Sequence, residues 1–144
     1  RRLFFGDYKA ADGFYRKIKS KQEEYGNCLI NKINKVYLVG ASIGANTVIN
    51  FGATDSSIKG VVALSPGLDY RGIKTQDNAK KIKIPILIIV SRQDSYAFDS
   101  SNTLYAIITS DKQIKVYNGA EHGTDMFLST DMDKVMIKWI LDHK

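Results

Sequence analysis

Val36-Tyr37-Leu38-Val39-Gly40-Ala41-Ser42-Ile43-Gly44-Ala45-Asn46 decides the reading of this chain. Residues 36–39 are an apolar, β-prone run that stops at Gly40. Ala45, Val48 and Ile49 then fall at i, i+3 and i+4, the spacing of one helix face. Between strand and helix lies G-x-S-x-G. A serine on so sharp a turn has a strained backbone, and side chains two positions either side would collide with neighbouring elements, so glycines flank it. The turn lifts the hydroxyl above the sheet, and the following helix aims its N-terminal amides toward it. The competing reading is a glycine-rich turn with an incidental serine.

Outward from this motif the pattern repeats. Residues 60–64 are a second apolar strand, stopped by Ser65-Pro66-Gly67. Residues 84–90 are a third, with Pro85 near the start, where a missing amide donor does least damage. Leu104, Ile107 and Ile108 suggest a helix, and residues 114–117 are a fourth strand ended by Asn118-Gly119. Met132, Val135, Met136, Trp139 and Ile140 recur at i, i+3, i+4, i+7 and i+8, the clearest amphipathic helix. Strands without polar alternation, separated by helices, predict an α/β fold: a mostly parallel sheet with helices on both faces. Tyr25, Cys28 and Leu29 could line an earlier helix, and residues 1–19 give mixed signals.

A serine hydroxyl needs a base to become a nucleophile at neutral pH, and the base needs an orienting carboxylate. The chain has two histidines. His143 is next to last, where ends fray. His122 follows the fourth strand in Gly119-Ala120-Glu121-His122-Gly123, which places it on the same sheet edge as Ser42. Its competing role is an ordinary loop histidine. Asp94 directly follows the third strand in Ser91-Arg92-Gln93-Asp94 and is the leading carboxylate, with a turn or N-cap aspartate as its alternative. Asp69, after the second strand, is the runner-up, and Asp99 falls at a helix start.

Composition excludes several classes. With 144 residues, 44% hydrophobic and 25% charged, the chain suits one domain spanning residues 1–144. A single cysteine excludes an internal disulfide framework and a cysteine-based zinc site. No run approaches the ~18 apolar residues of a membrane span. The net charge of +6 comes from scattered lysines, and the densest group, Lys80, Lys81 and Lys83, precedes a strand. A solvated surface accounts for it better than nucleic-acid binding.

Serine, then acid, then histidine, each after a parallel strand, resembles the α/β-hydrolase superfamily. The resemblance covers about residues 35–144. It also rests on Val62-Ala63-Leu64-Ser65-Pro66-Gly67-Leu68-Asp69-Tyr70, Pro85-Ile86-Leu87-Ile88-Ile89-Val90 and Gly119-Ala120-Glu121-His122-Gly123-Thr124-Asp125-Met126-Phe127. Within the superfamily the chain is similar to small bacterial hydrolases near the dienelactone-hydrolase and serine-aminopeptidase-like groups. The resemblance implies Ser42 as nucleophile, Asp94 as acid, His122 as base and the Ile43 amide as one oxyanion donor. It implies no metal and no organic cofactor.

The second oxyanion donor of that superfamily comes from a loop after an early strand, and only 41 residues precede Ser42 here. The reading therefore expects the first half of the sheet, and the native N-terminus, to lie outside the chain. The serine strand would then stand at an open edge, where a homo-oligomer could form. A cytoplasmic location is expected, with an extracytoplasmic one left open. The expected activity is hydrolysis of small esters through an acyl-enzyme. Alternatives are a thioesterase or peptidase with the same triad, a non-catalytic ligand receptor on this fold, and an interaction protein built on the open edge. Residues 67–83 are too few for a lid domain, which suggests small acyl groups. Met126, Phe127, Tyr96 and Tyr70 are candidate pocket residues, with core packing the stronger role for Met126 and Phe127.

Overall fold

The computed structural model describes residues 35–143. The expectations for the first thirty residues lie outside them. Four parallel strands make one sheet: β1 (Val36–Ala41), β2 (Ile58–Leu64), β5 (Ile86–Ser91) and β6 (Lys112–Tyr117). Their order in space is their order in sequence, β1-β2-β5-β6, and every pairing is parallel. Between β2 and β5 lies a two-stranded antiparallel hairpin, β3 (Asp69–Tyr70) with β4 (Ile73–Lys74). Among the described residues β1 pairs on one side alone, with β2.

Strand residues alternate between two buried faces. Val61 and Ala63 of β2, with Ile86 and Ile88 of β5, meet three helices: α1 (Ile43–Gly52), the short α2 (Gln76–Ala79) and α3 (Ser95–Ile107). Val62, Leu64, Leu87 and Ile89 point the other way. They meet Met126 of a 3-10 helix (Gly123–Leu128) and Met132, Met136, Trp139 and Ile140 of α4 (Met132–Asp142). Because both faces are covered, the central strands carry no polar alternation. This is the mostly parallel, doubly covered sheet that the sequence predicts.

The turn out of β1 shows what the glycines are for. A Cβ on Gly40 would sit 2.2 Å from the Gly44 carbonyl oxygen, so the strand and the first turn of α1 can approach this closely only without one. The hairpin, the short helix α2 and the 3-10 helix are elements that the sequence does not announce. Each is too short to show a period. No described helix is long and apolar enough to cross a membrane.

Candidate active site

Ser42 stands between β1 and α1 at φ 54°, ψ −123°. A positive φ is uncommon for a serine and costs of order 1–3 kcal/mol, so the surroundings must hold it. Its N–H donates to the Leu64 carbonyl at the end of β2 (2.9 Å), and its carbonyl accepts from Ala45 N–H (2.9 Å). Ile43 opens helix α1, so its N–H has no acceptor within the helix.

Asp94 and His122 meet after β5 and β6. Two backbone bonds draw those loops together: Arg92 N–H to the Tyr117 carbonyl (2.8 Å) and Gln93 N–H to the Gly119 carbonyl (2.9 Å). Asp94 Oδ2 lies 2.6 Å from His122 Nδ1. Asp94 does occupy the N-cap position of α3, but its side chain makes no capping bond. The carboxylate is committed to the imidazole. It is mostly covered, with 16% of its side chain exposed against 39% for His122. Since a carboxylate accepts, Nδ1 carries the proton and Nε2 keeps a free lone pair. The runner-up, Asp69, is exposed and accepts from Gly72 N–H in the hairpin turn (2.7 Å). His143 bonds Trp139 and, at 3.1 Å, Asp111, just before β6, at the opposite sheet edge.

The loop that carries His122 packs on the serine turn. A Cβ on Gly123 would lie 3.3 Å from Ala41 Cβ and 3.8 Å from Ser42 N. Gly123 N–H donates to the hydroxyl of Ser65 (2.9 Å), a fully buried residue after β2. No hydrogen bond joins Ser42 to His122 among the described contacts. Such bonds are often long without substrate and tighten when it binds.

Two aromatic side chains border the pair. The Tyr70 ring stands edge-on to the imidazole, centroids 6.1 Å apart, and to Tyr96 at 5.5 Å. Burial, then the nearby Asp94 charge, then Tyr96 push the Tyr70 phenol up to about 12. Tyr96 is half exposed, and its hydroxyl clamps the Asp69 backbone, accepting from N–H (3.0 Å) and donating to the carbonyl (2.9 Å). Gly67 lies beneath both rings, where a Cβ would come within 2.7 Å of Tyr70 and 2.9 Å of Tyr96. Met126 is fully buried in the core beside α4, and Phe127 packs against the same cluster. Core packing, the stronger of the two roles considered for each, is where the structure puts them.

Asn46, four residues after Ser42, closes the motif stretch quoted from the sequence but has no role assigned there. It is fully buried on α1 and bonds the hairpin twice, donating to the Ile73 carbonyl (2.7 Å) and accepting from Gly67 N–H (2.9 Å).

Parallel β1, β2, β5 and β6, covered on both faces and carrying a serine at a left-handed strand-to-helix turn, form the α/β-hydrolase fold. The monoacylglycerol lipase of Paleococcus ferrophilus matches with TM-score 0.69 at 22% identity, over 90% of this chain and 74% of the lipase. Acetyl xylan esterase 1 of Thermoanaerobacterium sp. matches with TM-score 0.64 at 19% identity, over 78% of this chain and 46% of the esterase. The dienelactone hydrolase of Anabaena variabilis gives 0.54 at 21%, over 61% of this chain and 39% of that one. The chain thus spans less than half of the last two proteins. No curated protein matches it in sequence. The chain belongs to the dienelactone hydrolase family, whose sequence profile matches residues 8–134.

Proposed function

We propose that the protein is a serine hydrolase of small carboxylic esters, with Ser42 as nucleophile, His122 as general base and Asp94 as the orienting acid. The observation that carries the reading is the 2.6 Å bond between His122 Nδ1 and Asp94 Oδ2. It fixes the tautomer whose Nε2 can take a proton, at the edge where Ser42 is held at positive φ. Ser42 Oγ attacks the ester carbonyl as Nε2 removes its proton. Negative charge collects on the carbonyl oxygen, and the Ile43 N–H donates to it. The imidazolium then protonates the leaving alkoxide, the C–O bond breaks and the alcohol departs. An acyl-Ser42 remains. Nε2 deprotonates a water, which attacks the acyl carbon, and the serine is released with the free acid.

Membership of the dienelactone hydrolase family favours an ester over a peptide as substrate. The Tyr70 ring crowds the imidazole and the Tyr96 ring stands against Tyr70, in keeping with small acyl groups. Turnover of p-nitrophenyl acetate by the wild type, Ser42→Ala and His122→Ala tests the proposal. Each substitution is expected to lower kcat by at least ~10³. A fluorophosphonate probe is expected to label Ser42. Undiminished turnover without the Ser42 hydroxyl would overturn the mechanism.

A further inference from the structure

Ser65 is buried, polar and conformationally awkward. It follows β2 directly, is fully covered by its neighbours and sits at φ +48°. In that region glycine is at ease and a residue with a Cβ is not. If the turn alone mattered, a hydroxyl would be a burden twice over, since it must also find a partner away from water. Its partner is Gly123 N–H at 2.9 Å, 58 residues further along the chain.

That bond stands at a junction. Ser65 lies between the serine strand and the acid strand, because β2 separates β1 from β5. Its neighbour Leu64 accepts from Ser42 N–H (2.9 Å), and its own N–H donates to the Ile89 carbonyl (2.8 Å). Gly123 is the residue after His122 and packs on Ala41. The histidine is thus held from two directions. Asp94 fixes the imidazole at Nδ1, and Ser65 fixes the backbone one residue on. The first bond engages the ring and the second engages the main chain beside it.

We infer that Ser65 is a positioning residue whose hydroxyl accepts the Gly123 N–H and holds the histidine loop where His122 can reach Ser42. The inference rests on the proposed triad for its consequence in turnover, but not for the bond itself. Without the hydroxyl, a buried N–H loses its acceptor and the loop must shift to rehydrate it. A displacement of about 1 Å at a reacting group can cost roughly 100-fold in rate.

The test compares Ser65→Ala with Ser65→Gly in the full chain. Both remove the acceptor; alanine keeps the strained φ of the native serine, whereas glycine also relieves it, so a loss shared by both variants is not a folding effect. Amide hydrogen exchange at Gly123, followed by NMR, is expected to accelerate in both. With p-nitrophenyl acetate, kcat is expected to fall about 10- to 100-fold in both, with KM within about 3-fold of the wild type. Ser65→Cys, similar in size with a weak acceptor, is expected to recover part of the loss. Wild-type turnover by Ser65→Gly, or unchanged Gly123 exchange in either variant, would overturn the inference. Ser42→Ala in the same assay separates the two claims. If it still turns over, the hydrolase reading fails, while Gly123 exchange still decides the Ser65 bond.

Discussion

Replacing Gly40 with alanine tests the steric account of the serine turn. The new Cβ would lie 2.2 Å from Gly44 O, 2.5 Å from Gly44 C and 2.9 Å from Ala45 N. Favourable contact begins near 3.5 Å, so strand and helix would have to part by about 1.3 Å. All three atoms are backbone, and no side chain can swing aside. The first turn of α1 is pinned through Ser42 to Leu64 and through Ala45 to Ser42, so parting also strains those bonds. Overpacking of this kind costs about 3 kcal/mol. For a chain of this size that lowers Tm by roughly 10 °C. Trp139, the single tryptophan, is buried against the sheet and reports the transition by fluorescence under heat or urea. Gly72→Ala is the companion variant. Its φ is +86°, but no atom lies within 4 Å of the added Cβ. Only the conformational cost of about 1 kcal/mol is expected there, with turnover unchanged. If Gly40→Ala melts no lower than Gly72→Ala, the close approach does not govern the turn and the steric reasoning is wrong.

Asp94→Asn is expected to lower p-nitrophenyl acetate kcat by about 10⁴ with KM little changed, because an amide donor facing Nδ1 favours the tautomer whose Nε2 cannot accept a proton. A loss under tenfold would remove Asp94 from the mechanism. Asn46→Ala is expected to cost about 2 kcal/mol in urea unfolding, since Gly67 N–H and the Ile73 carbonyl lose their buried partner. Spectrophotometric titration of wild type and Tyr70→Phe is expected to show one phenol ionising near 12. Because that folded value lies above the unfolded value of about 10, the unfolded chain gives up its proton first. Stability is therefore expected to fall as pH rises from about 10 through about 12, and Tyr70→Phe should lessen that fall.

The sheet was legible because β1, most of β2 and β5 are apolar runs with turn residues at their ends, whereas only the last part of β6, Ile114–Tyr117, showed. Three observed strands extend the expected ones by two residues, as with β1 running on to Ala41, while β5 starts at Ile86, two residues later than expected, and ends one later, at Ser91. The serine turn was legible because the spacing of Gly40 and Gly44 has a local steric cause. Asp94 and His122 were legible as strand-end residues, although the bond between them depends on β5 and β6 being neighbours. The hairpin was not, since two-residue strands show no alternation. Ser65 and Asn46 were missed for a different reason. Their partners lie 58 and 21–27 residues away, and nothing in the local sequence marks a hydroxyl or amide as structural when its partner is a distant backbone group.

The tip of the β3–β4 hairpin offers one more consequence. Arg71 and Gly72 are exposed and both left-handed, while Asn46, Asn50, Thr75 and Tyr96 all grip the hairpin below the tip. Extra chain spliced between these two residues would leave the parallel sheet and its anchors untouched. Because Tyr70 stands edge-on to His122, such a graft would lie close to the Asp94–His122 pair. Access to the catalytic edge could then be narrowed from this one splice point, without altering any residue that holds the edge together.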